Sequence, residues 1–217
     1  MPSIFNDIKS NFIGPLVPFP NSLIYDITMS CNLHCRMCVY KGYKKVEVPF
    51  KELQPGFEKI IGRIDRVYII GAEPFMKNDL SDAIDWFRDK KINVGIQSNG
   101  TIDPNNILNK VDRYDTSLDG LESAHDAIRG TGAFKKTMRS IEKALAKGNM
   151  GFVSVVVMEE NIDAVTPLVK FLQGLNIKHI DISPVIRYLR REQQAMAALG
   201  FDLAQLAMPD GDYAPSF

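Results

Sequence analysis

The sequence lacks several features that would place the protein in a particular class. Acidic and basic residues balance at 26 each among 217 residues, so charge gives no reason to expect a nucleic-acid or membrane-surface partner. The longest apolar runs, such as Phe152 to Met158, are far shorter than the about 20 residues that cross a bilayer. The N-terminus lacks the basic and apolar segments of a signal peptide. We therefore expect neither a nucleic acid nor a membrane as a partner.

Cysteine is scarce as well. The chain has three cysteines, and all of them lie between residues 31 and 38. Such a cluster cannot build the disulfide framework that is typical of small secreted domains, and it favours a reducing compartment. We therefore expect a cytoplasmic protein. An apolar fraction of 45% and a charged fraction of 24% are those of an ordinary globular chain.

The spacing of the cysteines, Cys31-x3-Cys35-x2-Cys38, indicates a metal centre. Three thiolates from one loop suit a cubane 4Fe–4S cluster with one iron free of protein ligands, because cysteine thiolates hold such clusters. The alternative is a zinc site formed by the three cysteines and His34, although zinc usually takes ligands from separated segments. A 4Fe–4S cluster with one open iron would provide a place for catalysis. The alternative function is a non-catalytic binding module that a zinc ion or a cluster stabilises.

Short β-like runs alternate with helical ones from residue 22 onward. The predicted strands are Leu23–Met29, Val67–Ile70, Ile92–Gln97, Tyr114–Leu118, Phe152–Met158 and His179–Ser183, with helices near 50–63, 79–90, 104–110, 133–147 and 162–174. Parallel strands need crossover connections, and right-handed crossovers in sequential order curl the sheet. Six strands are too few for a closed eightfold barrel. We therefore predict an α/β fold, an open partial (β/α)6 barrel with parallel strands.

The barrel is expected to occupy residues 22–187 as one domain. Residues 1–21 contain four prolines and are expected to form an N-terminal arm. About 20 residues before the barrel are too few for a separate peptide-recognition domain. Residues 188–217 are expected to form a C-terminal helical tail.

Polar, turn-forming motifs follow the first four predicted strands. They are Cys31–Cys38, Gly71-Ala-Glu-Pro74, Ser98-Asn-Gly-Thr101 and Ser117-Leu-Asp-Gly120. In parallel α/β folds the functional loops gather at the C-terminal ends of the strands. The motifs therefore predict one site on one rim. Asn99 is a candidate cofactor contact or only part of a turn, Ser154 on the fifth strand is a further candidate for a ribose, and Asp119-Gly120 is a possible tight turn.

These residues resemble the radical S-adenosylmethionine enzymes over about residues 22–186. The cysteine loop is similar to their cluster motif, and Gly71–Pro74 is similar to their Gly-Gly-Glu-Pro element. Ser117 followed twelve residues later by Arg129 is similar to the branch of sulfatase-maturating and peptide-modifying enzymes. His125 and Asp126 are expected to cap or brace a loop that presents Arg129.

The resemblance implies two cofactors, a 4Fe–4S cluster and S-adenosylmethionine. It implies cleavage of S-adenosylmethionine to a 5′-deoxyadenosyl radical, which abstracts hydrogen from a peptide or small-metabolite substrate. An external one-electron reductant of the flavodoxin or ferredoxin type would supply the electron. The implied metal ligands are Cys31, Cys35 and Cys38, and the implied or candidate cofactor contacts are Met37, Gly71, Ala72, Glu73, Asn99, Ser117, Arg129 and Ser154.

The sequence departs from the family pattern at three points. Met37 stands where the family usually has an aromatic residue beside the adenine, and Ala72 stands where it usually has a second glycine. No cysteine follows Cys38, so cysteine cannot ligate the auxiliary clusters that are common in the resembled branch. We therefore expect isomerisation, epimerisation or consumption of S-adenosylmethionine as a cosubstrate.

Overall fold

The computed structural model describes residues 21–38, 40 and 47–185. Six parallel strands form one sheet in the order β1-β2-β3-β4-β5-β6. The strands are β1 Ser22–Asp26, β2 Arg66–Ile70, β3 Asn93–Ser98, β4 Arg113–Ser117, β5 Met150–Val157 and β6 His179–Pro184. This sequential order of parallel strands confirms the predicted open partial barrel. The C-terminal tail and nearly all of the predicted arm lie outside the described residues.

Helices connect the strands and cover the outer face of the sheet. They are α1 Phe50–Glu58, α2 Leu80–Asp89, α3 Asn105–Leu108, α4 Glu122–Arg129, α5 Ala133–Lys147 and α6 Ile162–Gly174. Five of them were predicted, but α4 was not, because its eight residues bury only His125 and Ile128. Within the described ranges, each helix is too short or too polar to traverse a lipid bilayer.

The apolar core lies between the sheet and the helices. Val67, Ile69, Val94 and Ile96 pack with Phe87 in a cluster on the β1–β4 side. A second cluster on the β5 side includes Val153, Val155, Leu168 and Leu172. Alternate residues of a strand point to opposite faces of the sheet. Since the strand residues of these clusters face the helices, the residues next to them in sequence face the inside of the barrel. Burial of this apolar surface is the main force that holds the helices against the sheet.

A polar brace crosses the inner face and explains why the fourth strand is more polar than a buried strand usually is. Asp115 is fully buried, and it accepts hydrogen bonds from Tyr68 Oη at 2.6 Å and from Phe152 N at 2.6 Å. Arg113 Nε lies 2.9 Å from Asp115 Oδ2. The Tyr68 ring crosses Gly95, where a Cβ atom would come within 2.8 Å of the ring. Glycine at position 95 therefore lets β2 reach β4 across β3.

Candidate functional site

The rim begins where the pairing of β1 with β2 continues beyond the strand ends. Ala72 N donates to Thr28 O at 2.9 Å, and Glu73 N donates to Ser30 O at 2.9 Å. Gly71 adopts a φ of 144°, and a Cβ atom there would lie 2.7 Å from Thr28 O. A side chain at position 71 would break this pairing. Glycine is therefore required to hold the two loops side by side.

Hydrogen bonds shape the cysteine loop near both of its ends. Cys31 Sγ accepts hydrogen bonds from Leu33 N at 3.3 Å and from Asn99 Nδ2 at 3.7 Å. Cys38 N donates to Cys35 O at 3.3 Å, which closes a turn around the second and third cysteines. Burial raises the pKa of Cys31, and it raises the pKa of Cys35 to about 11 although the charge of Arg129 opposes the shift. Both shifts favour the protonated form of the Cys31 and Cys35 thiols.

A cavity of about 250 Å³ opens at this rim and collects most of the predicted site. Its lining includes all three cysteines together with Met37, Ala72, Asn99 and Arg129, which were predicted, and Val156, Ser183, Pro184 and Val185, which were not. Four predicted residues are not part of the lining: Gly71, Glu73, Ser117 and Ser154. Ser117 and Ser154 pair in register across β4 and β5, and both are buried.

Glu73 is fully buried behind the cavity wall. Its Oε1 accepts hydrogen bonds from Phe75 N at 3.2 Å and from Ser98 Oγ at 2.9 Å, and its Oε2 accepts one from Asn99 N at 2.7 Å. Burial raises the pKa of Glu73, although these hydrogen bonds act in the opposite direction. The carboxylate therefore joins the loop after β2 to the end of β3. Its predicted contact with an ammonium group stays a prediction.

Asn99 connects the third rim loop to the cysteine loop. Its Nδ2 donates to Asn32 Oδ1 at 2.9 Å as well as to Cys31 Sγ. Its Oδ1 accepts from Thr101 N at 2.8 Å and from Thr101 Oγ1 at 2.6 Å. Because Asn32 Nδ2 also donates to Thr101 Oγ1 at 2.8 Å, the three polar side chains fix the amide plane of Asn99. The structure thus gives Asn99 a role in orienting a predicted cluster ligand.

Arg129 is the last residue of α4, and its side chain lines the cavity beside the cysteine loop. Its side chain is only 9% exposed, and Nε donates to Asp119 Oδ2 at 2.5 Å. Burial opposes the charge of the guanidinium, but the Asp119 carboxylate outweighs that effect and raises the pKa of Arg129. Cys35 and Cys38 would act in the same direction when they are ionised. Arg129 is thus a buried cation beside the cysteines.

The segment that carries Arg129 is a helix, which corrects the expected loop. His125 is fully buried on α4, and its Nδ1 accepts a hydrogen bond from Asp119 N at 3.1 Å. Asp126 accepts hydrogen bonds from Gly132 N at 2.6 Å and Phe134 N at 2.8 Å, at the start of α5. The two residues therefore brace and cap as predicted, but they do so from a helix.

The burial of His125 predicts a pH-dependent stability. Burial, and then the charge of Arg129, lower the pKa of His125 from 6.5 to about 4. As the pH falls, the imidazole of His125 is protonated in the unfolded chain before it is protonated in the folded one. The free energy of unfolding should therefore decrease between about pH 6.5 and about pH 4, by about 2.5 kcal/mol at pH 4.5. Denaturant unfolding at pH 7 and 4.5 measures the loss. His125→Asn, whose side-chain oxygen can replace Nδ1 as an acceptor, should lose correspondingly less than the wild type; equal losses would contradict the prediction.

His34 lies apart from the cysteine cavity. It lines a different cavity of about 390 Å³ on the other side of the loop, with Arg36, Thr101 and Lys136 among its neighbours. In the described part of the chain, no three side chains of His, Cys, Asp or Glu are grouped closely enough to hold a metal ion. His34 and the three cysteines line different cavities, which does not favour a zinc site shared by all four side chains. Three thiols around one cavity fit a larger, polynuclear group such as a 4Fe–4S cluster.

Comparison with known proteins identifies the family. The sequence model of the Radical SAM superfamily matches residues 25–172. The chain belongs to the Radical SAM superfamily. The cofactors of this superfamily are a 4Fe–4S cluster and S-adenosylmethionine, which agrees with the donor set of the cavity.

Two curated relatives and one solved structure show how far the radical SAM likeness extends. Mycofactocin maturase MftC of Mycolicibacterium smegmatis is 28% identical over 159 residues, 66% of this chain and 39% of MftC. The AdoMet-dependent heme synthase of Nitratidesulfovibrio vulgaris is 28% identical over 167 residues, 70% of this chain and 45% of the synthase. Streptococcus suis SuiB bound to S-adenosylmethionine matches with a TM-score of 0.70 and 15% identity, covering 90% of this chain and 48% of SuiB. The chain therefore spans less than half the length of these proteins.

The far wall of the cysteine cavity was not predicted from the sequence. Val156, Ser183, Pro184 and Val185 lie at the ends of β5 and β6. Val156 and Val185 also pack against the buried cluster of Met37, Ile128 and Met158. A usable signal was present, because Val156 is two positions from Ser154 and therefore lies on the same face of β5. Ser183, Pro184 and Val185 stand in no motif that would mark them as part of a cavity wall.

Proposed function

We propose that this chain is a catalytic radical SAM domain that binds a 4Fe–4S cluster through Cys31, Cys35 and Cys38. When bound, the cluster and S-adenosylmethionine supply a 5′-deoxyadenosyl radical that abstracts hydrogen from a substrate. One observation carries the proposal: three half-buried thiols line a single cavity together with a buried arginine from α4. A non-catalytic binding module has no need for that arrangement.

The other residues of the cavity are suited to holding the cofactor. Arg129 can bind the methionine carboxylate with two parallel hydrogen bonds. Ala72 and the backbone of Gly71 allow close approach of the amino-acid part. Met37 can pack its polarizable thioether against the adenine ring. Glu73 would accept from the ammonium group, and Ser117, Ser154 and Asn99 are the proposed contacts for the nucleoside.

The proposed substrate is a peptide or a small metabolite. The relatives include both kinds, since SuiB has been solved with its precursor peptide SuiA, whereas other relatives are named for heme synthesis and for GTP 3′,8-cyclisation. The proposed electron source is an external one-electron carrier of the flavodoxin or ferredoxin type. Once cofactor and substrate fill it, the cavity would shield the reactive species from water and competing reactants.

Anaerobic reconstitution with iron and sulfide tests the proposal. The reconstituted protein should be brown, should contain four irons per chain, and should convert S-adenosylmethionine to 5′-deoxyadenosine and methionine when dithionite is added. Mass spectrometry of the nucleoside product measures the cleavage. A protein that instead binds one tight zinc ion and releases no 5′-deoxyadenosine would establish the binding-module alternative.

The Asn99 hydrogen bond predicts a change in the redox potential of the cluster. Hydrogen bonds to ligating sulfurs stabilise the more negative, reduced state. Asn99→Ala should therefore lower the potential by on the order of 40 mV, the one-electron equivalent of a hydrogen bond worth about 1 kcal/mol. Potentiometric EPR titration of the reconstituted protein measures the shift. Asn106→Ala, an exposed change on α3, is the matched control and should leave the potential unchanged; equal potentials for all three proteins would remove Asn99 from the cluster environment.

A further inference from the structure

We infer that Asp119 is the positioning residue that holds Arg129 in place for S-adenosylmethionine, an inference that rests on the proposed function. In the sequence Asp119 is only a possible turn residue. In the structure it is fully buried, and its carboxylate binds Arg129 Nε at 2.5 Å. The Nε bond uses one of the five guanidinium donors, and Arg129 also lines the cysteine cavity.

Asp119 is fixed by further contacts from α4, from β5 and from the turn before α6. His125 Nδ1 on α4 accepts from Asp119 N at 3.1 Å, and Val156 N on β5 donates to Asp119 Oδ1 at 3.0 Å. Asn161, in the turn before α6, donates through Nδ2 to Asp119 O at 2.9 Å. Each hydrogen-bonding atom of Asp119 thus has a partner of its own. The carboxylate has little freedom to move, and its Oδ2 atom is directed at Arg129.

The charges around Asp119 point to the same conclusion. Its other partners are a backbone amide, a neutral buried imidazole and a side-chain amide, so Arg129 is the cation that balances the carboxylate among the described residues. A buried charge without its partner is strongly unfavourable. Removal of the Asp119 charge should therefore displace or disorder Arg129. Arg129 would then no longer present its guanidinium to a carboxylate in the cavity.

Asp115 provides a matched control, since it too is a fully buried aspartate paired with an arginine. Its partner is Arg113 on the same strand, and neither residue lines the cysteine cavity. Asp115→Asn and Asp119→Asn make the same chemical change four residues apart. Both variants should lower the melting temperature. Only Asp119→Asn should weaken S-adenosylmethionine binding.

The experiment is a double-mutant cycle on the anaerobically reconstituted protein. Equilibrium dialysis measures the Kd for S-adenosylmethionine in wild type, Asp119→Asn, Arg129→Ala, the double variant and Asp115→Asn, with iron content and melting temperature recorded for each. Asp119→Asn should weaken binding about tenfold or more, the effect of losing one well-placed charge-assisted hydrogen bond. In the Arg129→Ala background the same change should alter Kd by less than about twofold, since coupled residues are not additive. Asp115→Asn should also stay within about twofold of the wild type.

Two outcomes would overturn the inference: an equal loss from Asp119→Asn with and without Arg129, or a Kd for Asp119→Asn that matches that of Asp115→Asn. Should Asp119→Asn not fold by itself, Arg129→Ala and the double variant are compared directly, and a further tenfold loss in the double variant would contradict the role. A wild type that binds S-adenosylmethionine but does not cleave it would contradict the proposed function instead, and the cycle would still decide the role of Asp119.

Discussion

Cys35→Ala should yield a folded protein that neither holds a 4Fe–4S cluster nor forms 5′-deoxyadenosine. Cys35 lines the cavity between the other two thiols in sequence and packs against the buried cluster around Met37. With two thiolates left, the cluster loses one of its three protein ligands. We expect cleavage to fall by more than about 100-fold, because loss of even a group that only orients a ligand costs 10–100-fold. Iron analysis, the visible absorption of the cluster and the yield of 5′-deoxyadenosine measure the effect.

His34→Ala is the matched control within the same loop. Because His34 lines the cavity on the other side of the loop, this variant should keep its iron and its cleavage activity. Circular dichroism should show the same secondary structure for both variants. Continued turnover in Cys35→Ala would refute the assignment of the ligands, and loss of metal in His34→Ala would favour the zinc site.

Glu73→Gln should destabilise the protein and weaken S-adenosylmethionine binding although it changes one atom. Both oxygens of Glu73 accept hydrogen bonds from backbone amides, Oε1 from Phe75 N and Oε2 from Asn99 N. Either orientation of a glutamine therefore sets an NH2 group against an N–H group. We expect a loss of about 1–3 kcal/mol in the free energy of unfolding, the cost of leaving a buried donor unpaired. Denaturant unfolding measures this loss.

The two proposed roles of Glu73 can be separated by a second measurement. If Glu73 also accepts from the ammonium of the cofactor, the Kd for S-adenosylmethionine should rise about tenfold or more, as for other charge-assisted hydrogen bonds. Glu142→Gln, an exposed change on α5, is the control and should stay within about 0.5 kcal/mol of the wild type. A destabilised variant with an unchanged Kd would leave Glu73 as a link between loops, and unchanged stability would contradict its buried hydrogen bonds.

The fold was largely predictable because two kinds of local pattern agreed. Strand-like runs such as Val67–Ile70 are apolar on the side that faces the helices, and turn-forming residues follow them. Helix α4 was missed because its apolar face is only two residues wide. Its start has no side-chain cap either, since Leu121 occupies the N-cap position. A helix of this kind is stabilised by its tertiary contacts rather than by local sequence signals.

Site residues could be predicted where they stand in a sequence motif. They could not be predicted where their role depends on which residues pack together in the fold. The cysteines, Ala72 and Arg129 stand in recognisable motifs and line the cavity. By contrast, the partners of Asp119 come from three separate elements. A turn-forming aspartate and a buried, arginine-binding aspartate look the same in one sequence. The burial of Glu73 likewise depends on the loop after β3, which only the folded sheet brings next to it.

The continuation of the β1–β2 ladder into the rim bears on when the proposed cluster ligands become ordered. Ser30 O is held by Glu73 N, so the backbone immediately before Cys31 is already fixed to the sheet. The turn of Cys35 and Cys38 is tied to α4 through Arg36 N and Ile128 O at 3.3 Å. Because these two contacts form with the fold itself, part of the conformational entropy lost in gathering the proposed ligands is lost when the chain folds.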